Sequence, residues 1–212
     1  MKKTIIFLVL LSAFVSCRSL NYTEQQGKKI PLSNKLLTLE KQIGDITGPN
    51  YTYNHSYSYP NSYMNSIGLN GDELRIINNE VDENLTDPYG DKYGYIEFNR
   101  RTVNMRYGIG WTLLSSMTFF TVNLLGVPFM NLRLDSEVEI RILDVNRKLI
   151  AKYSAVGQSK FIIAMYYGYG LMAATKVYPQ ALIDALDKIR PQINADVDRV
   201  NKLLKAAKDA KK

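Results

Sequence analysis

From Leu132 to Ile142 the chain alternates, with Leu132, Leu134, Val138, Ile140 and Ile142 on one face of an extended backbone and Arg133, Asp135, Glu137, Glu139 and Arg141 on the other. A period of two with charge on one side predicts a long strand with one wet face. Turn residues follow at 144–148 (DVNRK), then an apolar run at 149–156 (LIAKYSAV) that Gly157 closes, so the region reads as a β-hairpin. Upstream, residues 73–77 (ELRII), 93–98 (YGYIEF) and 101–106 (RTVNMR) read as short strands, with turn chemistry at 86–91 (TDPYGD). Residues 31–47 space Leu36, Leu37, Leu39 and Ile43 loosely, consistent with a strand or a short helix. After Lys160 the period lengthens. Ile183, Leu186, Ile189 or Arg190, Ile193, Val197, Val200 and Leu204 recur at three- and four-residue steps and predict amphipathic helices over 171–208, with Pro179 and Pro191 starting or kinking them.

Strands followed by helices define the expected fold class: α+β, a mostly antiparallel sheet packed against C-terminal helices as a two-layer sandwich. One segment fits neither pattern. Between Arg106 and Arg133 no residue is charged, and 107–132 reads YGIGWTLLSSMTFFTVNLLGVPFMNL. Gly108, Gly110, Gly126 and Pro128 interrupt it near both ends, leaving about fifteen residues, fewer than the ~20 a bilayer-spanning helix needs. The first expectation is therefore a hairpin or short helix over 108–130, buried or lying at a membrane surface. The functional alternative is a membrane-inserting or oligomer-forming element, with Trp111, Phe119, Phe120, Leu124 and Leu125 as candidate membrane or partner contacts.

Hydrophobicity at the other end has a different meaning. Lys2 and Lys3 precede the uncharged run 4–16 (TIIFLVLLSAFVS), which reaches Cys17 before the next charge, Arg18. A basic start and a short apolar core are signal-peptide features, so residues 1–16 are excluded from the fold. The sequence Phe14-Val15-Ser16-Cys17 resembles the lipobox of bacterial lipoproteins, which implies cleavage before Cys17 and lipidation of that cysteine, the single one in 212 residues. Residues 17–30 are polar and patternless and suit a flexible tether, leaving 31–212 as one α+β domain. Removing residues 1–16 takes away Lys2 and Lys3 and no acid, lowering the formal charge from +7 to +5. For an exported protein such a mildly basic balance points to anionic lipid or cell-wall polymer rather than nucleic acid.

Candidate chemistry is sparse. Tyr51, Tyr53, His55, Tyr57 and Tyr59 alternate and would share a face in an extended chain, where aromatic rings could stack on sugar or peptide. The structural reading of the same residues is a polar, tyrosine-rich loop or edge strand resting on the domain. His55 is the single histidine and lacks a neighbouring Cys, Asp or Glu cluster, so no metal site is expected. Asp82, Glu83, Asp87 and Asp91 lack the ordered spacing of a calcium loop. The G-x-S-x-G, H-E-x-x-H and phosphate-loop motifs are missing, and no cofactor is implied. Glu137 and Glu139 could in principle serve a hydrolase of cell-wall polymer, but alternating charges on a wet strand face account for them.

The order of features (lipobox, apolar segment ending NLLGVP at 123–128, hairpin VEIRILDVNRKLIAKYSAVGQSK, YYGYG at 166–170, and the helix AATKVYPQALIDALDKI) resembles uncharacterised envelope lipoproteins of Gram-negative, Bacteroidetes-type bacteria. Over roughly residues 100–205 it is also similar to the amino-terminal domain of TolB and the periplasmic domain of the curli secretion lipoprotein CsgG. The resemblance implies an α/β sandwich held to a membrane through lipid on Cys17, with an envelope protein partner or self-association and no catalytic residues. Arg18, where many inner-membrane lipoproteins carry Asp, implies the outer membrane, facing the periplasm. The expected function is binding or assembly; the alternatives are an oligomeric pore or export component using 108–130, and a hydrolase.

Overall fold

A computed structural model describes residues 31–47, 71–164 and 172–211. Their four strands are β1 (Glu40–Thr47), β2 (Gly94–Tyr107), β3 (Pro128–Asp144) and β4 (Leu149–Ala164), forming one sheet of order β1-β2-β3-β4. Both ladders among β2, β3 and β4 are antiparallel, whereas β1 joins the edge of β2 in parallel. The helices are α1 (Gly71–Asn79), which runs into a π-helical turn (Glu80–Leu85), then α2 (Ile109–Met117), α3 (Thr121–Leu124) and α4 (Met172–Asp209). The expected α+β class and mostly antiparallel sheet under a C-terminal helical layer describe this architecture.

The alternation in β3 sets the layers. Leu132, Leu134, Val138, Ile140 and Ile142 are buried, while Arg133 through Arg141 at odd positions line the open face. The buried face receives a stripe of α4 that includes Leu186, Ile189, Ile193, Val197, Val200 and Leu204. The stripe enters through Leu182, fully buried, rather than Ile183, which is only partly so. At 38 residues α4 is about 57 Å long and β3, with 17, is about 56 Å, so the helix matches the length of the two strands it packs on, β3 and β4. Both Pro179 and Pro191 lie inside this single helix, which corrects the expectation of separate helices. A continuous apolar stripe on a continuous sheet face outweighs the hydrogen bond each proline removes.

Three further expectations are corrected. Residues 73–77 belong to α1, not to a strand. On a helix Glu73 and Ile77 share a face one turn apart, and both are buried while Leu74 is exposed. Residues 93–98 and 101–106 are not two strands but one, β2, with a bulge between Thr102 and Asn104 that keeps both halves in register with β3. Gly157 does not end its strand. It sits within β4 where α4 comes closest: a Cβ there would stand 1.8 Å from the Ala181 carbonyl oxygen and 2.7 Å from the Ala185 nitrogen. The undecided stretch 31–47 contains β1, preceded by an extended segment in which Leu36 bridges to Thr86.

Two buried ion pairs fasten the small elements to the layers. Arg190 on α4 donates from Nε and Nη2 to both oxygens of Glu80, at 2.7 and 3.0 Å, and Glu80 also accepts from Asn84. Arg100 on β2 pairs with Glu73 on α1, and its guanidinium lies 4.8 Å from the Tyr178 ring centre. Cys17, the tether 17–30, the strip from Tyr51 through His55 to Tyr57 and Tyr59, and residues 166–170 lie outside the described residues.

Candidate functional site

At one end of the sheet, β2 passes through Gly108 into α2 and α3 before the chain returns as β3. This tip is uncharged from Tyr107 to Leu132. Ten of the eighteen large apolar side chains that are exposed among the described residues fall between Tyr107 and Leu125, so the exposure is a patch and not the usual scatter. Met117 is 79% exposed, Phe119 88% and Leu125 77%. The expectation of short helix holds here; the expectation that the segment is buried does not. Among the described residues, no helix is long and apolar enough to cross a membrane.

Local hydrogen bonding explains the shape. Helix α2 ends with Phe119 N–H donating to the Ser116 carbonyl and Phe120 N–H to that of Ser115; α3 ends likewise, with Gly126 donating to Asn123 and Val127 to Val122. Both ends are Schellman turns, which need a left-handed residue after the cap. Glycine supplies it in the second, at Gly126 with φ of 89°, but the first uses Phe119 at 48°, followed by Phe120 at 61°. Two consecutive left-handed phenylalanines are strained backbone, since each costs roughly 1–2 kcal/mol there. They hold Phe119 outward at the apex, while the Phe120 ring lies 6.1 Å from that of Phe129.

Polar groups within the tip turn inward to the tip itself. Thr112 donates to the Phe129 carbonyl, Ser115 to Trp111, Ser116 to Leu113, Thr118 to Leu114 and Thr121 to Thr118, all between 2.7 and 3.0 Å. Asn123, fully buried, donates to Ser115 Oγ and to the Val127 carbonyl. Every hydroxyl from Thr112 to Thr121 therefore has a partner without water, although the Asn123 Oδ1 has none among the described residues.

Beneath the tip the open sheet face changes character. Far from it, charges are balanced: Arg141 pairs with Glu97 and Glu139, Lys152 with Glu139 at 2.7 Å, and Arg101 with Glu137 at 2.8 Å. Burial opposes ionisation of the Glu139 carboxyl, but hydrogen bonds from Lys152 and Arg141 outweigh it and hold its pKa below the ordinary value. Nearer the tip the row is Asn104, Asp135 and Gln158, and the last row is Arg106, Arg133 and Lys160, directly opposite one another on adjacent strands. All three cations are exposed, and none has an ion-pair partner among the described residues.

Trp111, Phe119, Phe120, Leu124 and Leu125 are thus brought together and exposed in one tip. Sequence reasoning missed the exposure of Leu113, Leu114 and Met117, and it missed the whole row of Arg106, Arg133 and Lys160; only strand register joins the three. Glu137 and Glu139 do share the open face, each ion-paired. Among the described residues no three His, Cys, Asp or Glu side chains cluster as a metal site would require. No known protein family and no curated protein matches the chain.

Proposed function

We propose that this protein is an envelope lipoprotein, anchored by lipid on Cys17 and acting by binding or assembly rather than catalysis, with the apolar tip as its contact surface. The observation that carries the reading is an uncharged, exposed apolar segment on a domain whose chain opens with a signal-like run ending at Cys17. A soluble monomer rarely leaves such a patch uncovered, and an assembling or surface-bound one does. Arg18 after the cysteine favours the outer membrane, facing the periplasm. The fourteen residues 17–30 reach up to about 50 Å when extended, enough for the domain to turn its tip toward the membrane or toward a neighbour.

The test is intact mass and membrane fractionation of the native protein beside Cys17→Ser. An acylated N-terminal Cys17, with the variant held as precursor or released, is the expected result. A soluble, unacylated wild type would remove the anchor from the reading. The competing reading, an oligomeric pore built on residues 108–130, has the same exposed segment in its favour. Helix α2, with nine residues, spans about 14 Å, under half of a ~30 Å hydrocarbon core, so a pore needs several copies. A ring-sized species in mild detergent would select it over the monomeric binder.

A further inference from the structure

We infer that the tip, together with the cation row beneath it, docks on a bilayer surface rich in anionic lipid headgroups, giving the domain a second attachment beside the lipid on Cys17. The inference rests on the envelope reading for the presence of a nearby membrane, but the lipid chemistry comes from the tip and the row themselves.

Three features select a lipid surface over a second copy or a protein groove. Depth fits first: α2 and α3 are two short helices that cannot span, and a surface-bound apolar element sinks only about 5–10 Å into the boundary between headgroups and acyl chains. Polar satisfaction comes second. In lipid a hydroxyl or amide has no water to bond, and the hydroxyls of Thr112, Ser115, Ser116, Thr118 and Thr121 already donate to carbonyls of the same end of the molecule. Charge decides between lipids. Like charges directly opposite on neighbouring strands destabilise a sheet, yet Arg106, Arg133 and Lys160 stand side by side with no acid ion-paired to them among the described residues. Strands lie about 4.8 Å apart, so the three form a line about 10 Å long at the root of the tip, where phosphate headgroups would meet them once the apolar apex is immersed. Trp111 and Tyr107, both exposed, follow Arg106 in the chain and precede Met117 and Phe119, and amphipathic rings of this kind favour an interface.

Trp111 is the single tryptophan, so its fluorescence reports on the tip alone. Full-length protein as isolated is titrated with vesicles of phosphatidylcholine and with vesicles in which phosphatidylglycerol replaces about a third of it, some carrying brominated acyl chains. The expected result is blue-shifted, bromine-quenched Trp111 emission on the anionic vesicles and much less on the neutral ones. Three cations near the surface should together change the ratio of inserted to free tip by about a hundredfold, so Arg106→Gln with Arg133→Gln and Lys160→Gln should lose that much. Met117→Ser with Phe119→Asn and Leu125→Ser should lose roughly tenfold or more on either vesicle, at exposed positions where asparagine also suits the left-handed backbone of residue 119. Wild type in 0.5 M salt supplies a control free of any folding defect, because screening should reproduce the loss seen in the cation variant.

Solvent-like emission on both vesicles would overturn the proposal. So would equal insertion into neutral and anionic vesicles that the cation variant leaves unchanged. Blue-shifted emission without vesicles, from a species larger than a monomer, would give the tip to a second copy instead. Acylation of Cys17 is read by mass and not by Trp111, so loss of the anchor and loss of tip docking are separate outcomes.

Discussion

The backbone at Phe119 shows how a single residue can set stability against exposure. A left-handed φ of 48° at a helix end ordinarily belongs to glycine. Phe119→Gly should therefore raise stability by about 1 kcal/mol in urea unfolding while weakening tip contact; equal or lower stability would show that the ring packs usefully in the free protein. Acid sensitivity also belongs to individual side chains. The Arg199 hydrogen bond, helped by the Tyr153 hydroxyl and opposed by burial, holds the Asp196 carboxyl below its ordinary pKa, and Lys152 with Arg141 does the same for Glu139. Burial first, then Asp196 itself, pushes the Tyr153 hydroxyl well above the usual tyrosine range. A carboxyl whose folded pKa is depressed stabilises the fold at pH above its unfolded value of about 4, and that contribution disappears as pH falls through the folded value. The melting temperature should hold steady from pH 7 to 5 and drop below about 4. In Asp196→Asn it should start lower and drop less, and a wild-type profile in that variant would remove Asp196 from the account.

Among elements, the contact of β4 with α4 tolerates least. Gly157→Ala puts a methyl group into the Ala181 carbonyl, so helix and strand must part along their contact. We expect a loss of about 3 kcal/mol, at the upper end for overpacking, read as a lower urea midpoint; an unchanged midpoint would mean that the two layers slide apart freely. The π-helical turn depends on charge instead. Glu80→Gln leaves Arg190 buried with only Asp187, at 3.0 Å, as its acid, and should cost about 3 kcal/mol, whereas Glu80→Leu combined with Arg190→Met should recover much of that. A double variant no better than the single one would show that geometry, not desolvated charge, sets the cost. These elements also mark what a one-dimensional pattern conveys. The strand around Val138 and Ile140 was legible because one face is wet and the other dry. Residues 73–77 were not, because five residues carry too little of either period, and it is Arg100 on a distant strand that fixes Glu73 on the buried side of α1.

For the whole molecule, one long helix laid along β3 and β4 leaves the charged side chains of the opposite sheet face and the apolar side chains of the β2–β3 connection at least partly exposed among the described residues. In mild detergent above its critical concentration the protein should run as a monomer, its tip covered by detergent; a discrete ring under the same conditions would mean that tips cover one another. Sequence by itself determined the two-layer α+β arrangement, the dry face of β3, the helical stripe through Ile189, Ile193 and Val197, and the uncharged stretch between Arg106 and Arg133. Each of these is a local period or a local composition, and burial acts on such a pattern directly. Tertiary structure alone decided that α4 is continuous through Pro179 and Pro191, that Gly157 marks a close approach and not a strand end, and that the uncharged stretch faces solvent. It also decided that Lys160 completes a cation row with Arg106 and Arg133. Register and layer contacts join residues far apart in the chain, and their free energy comes from neighbours that no local window of sequence contains.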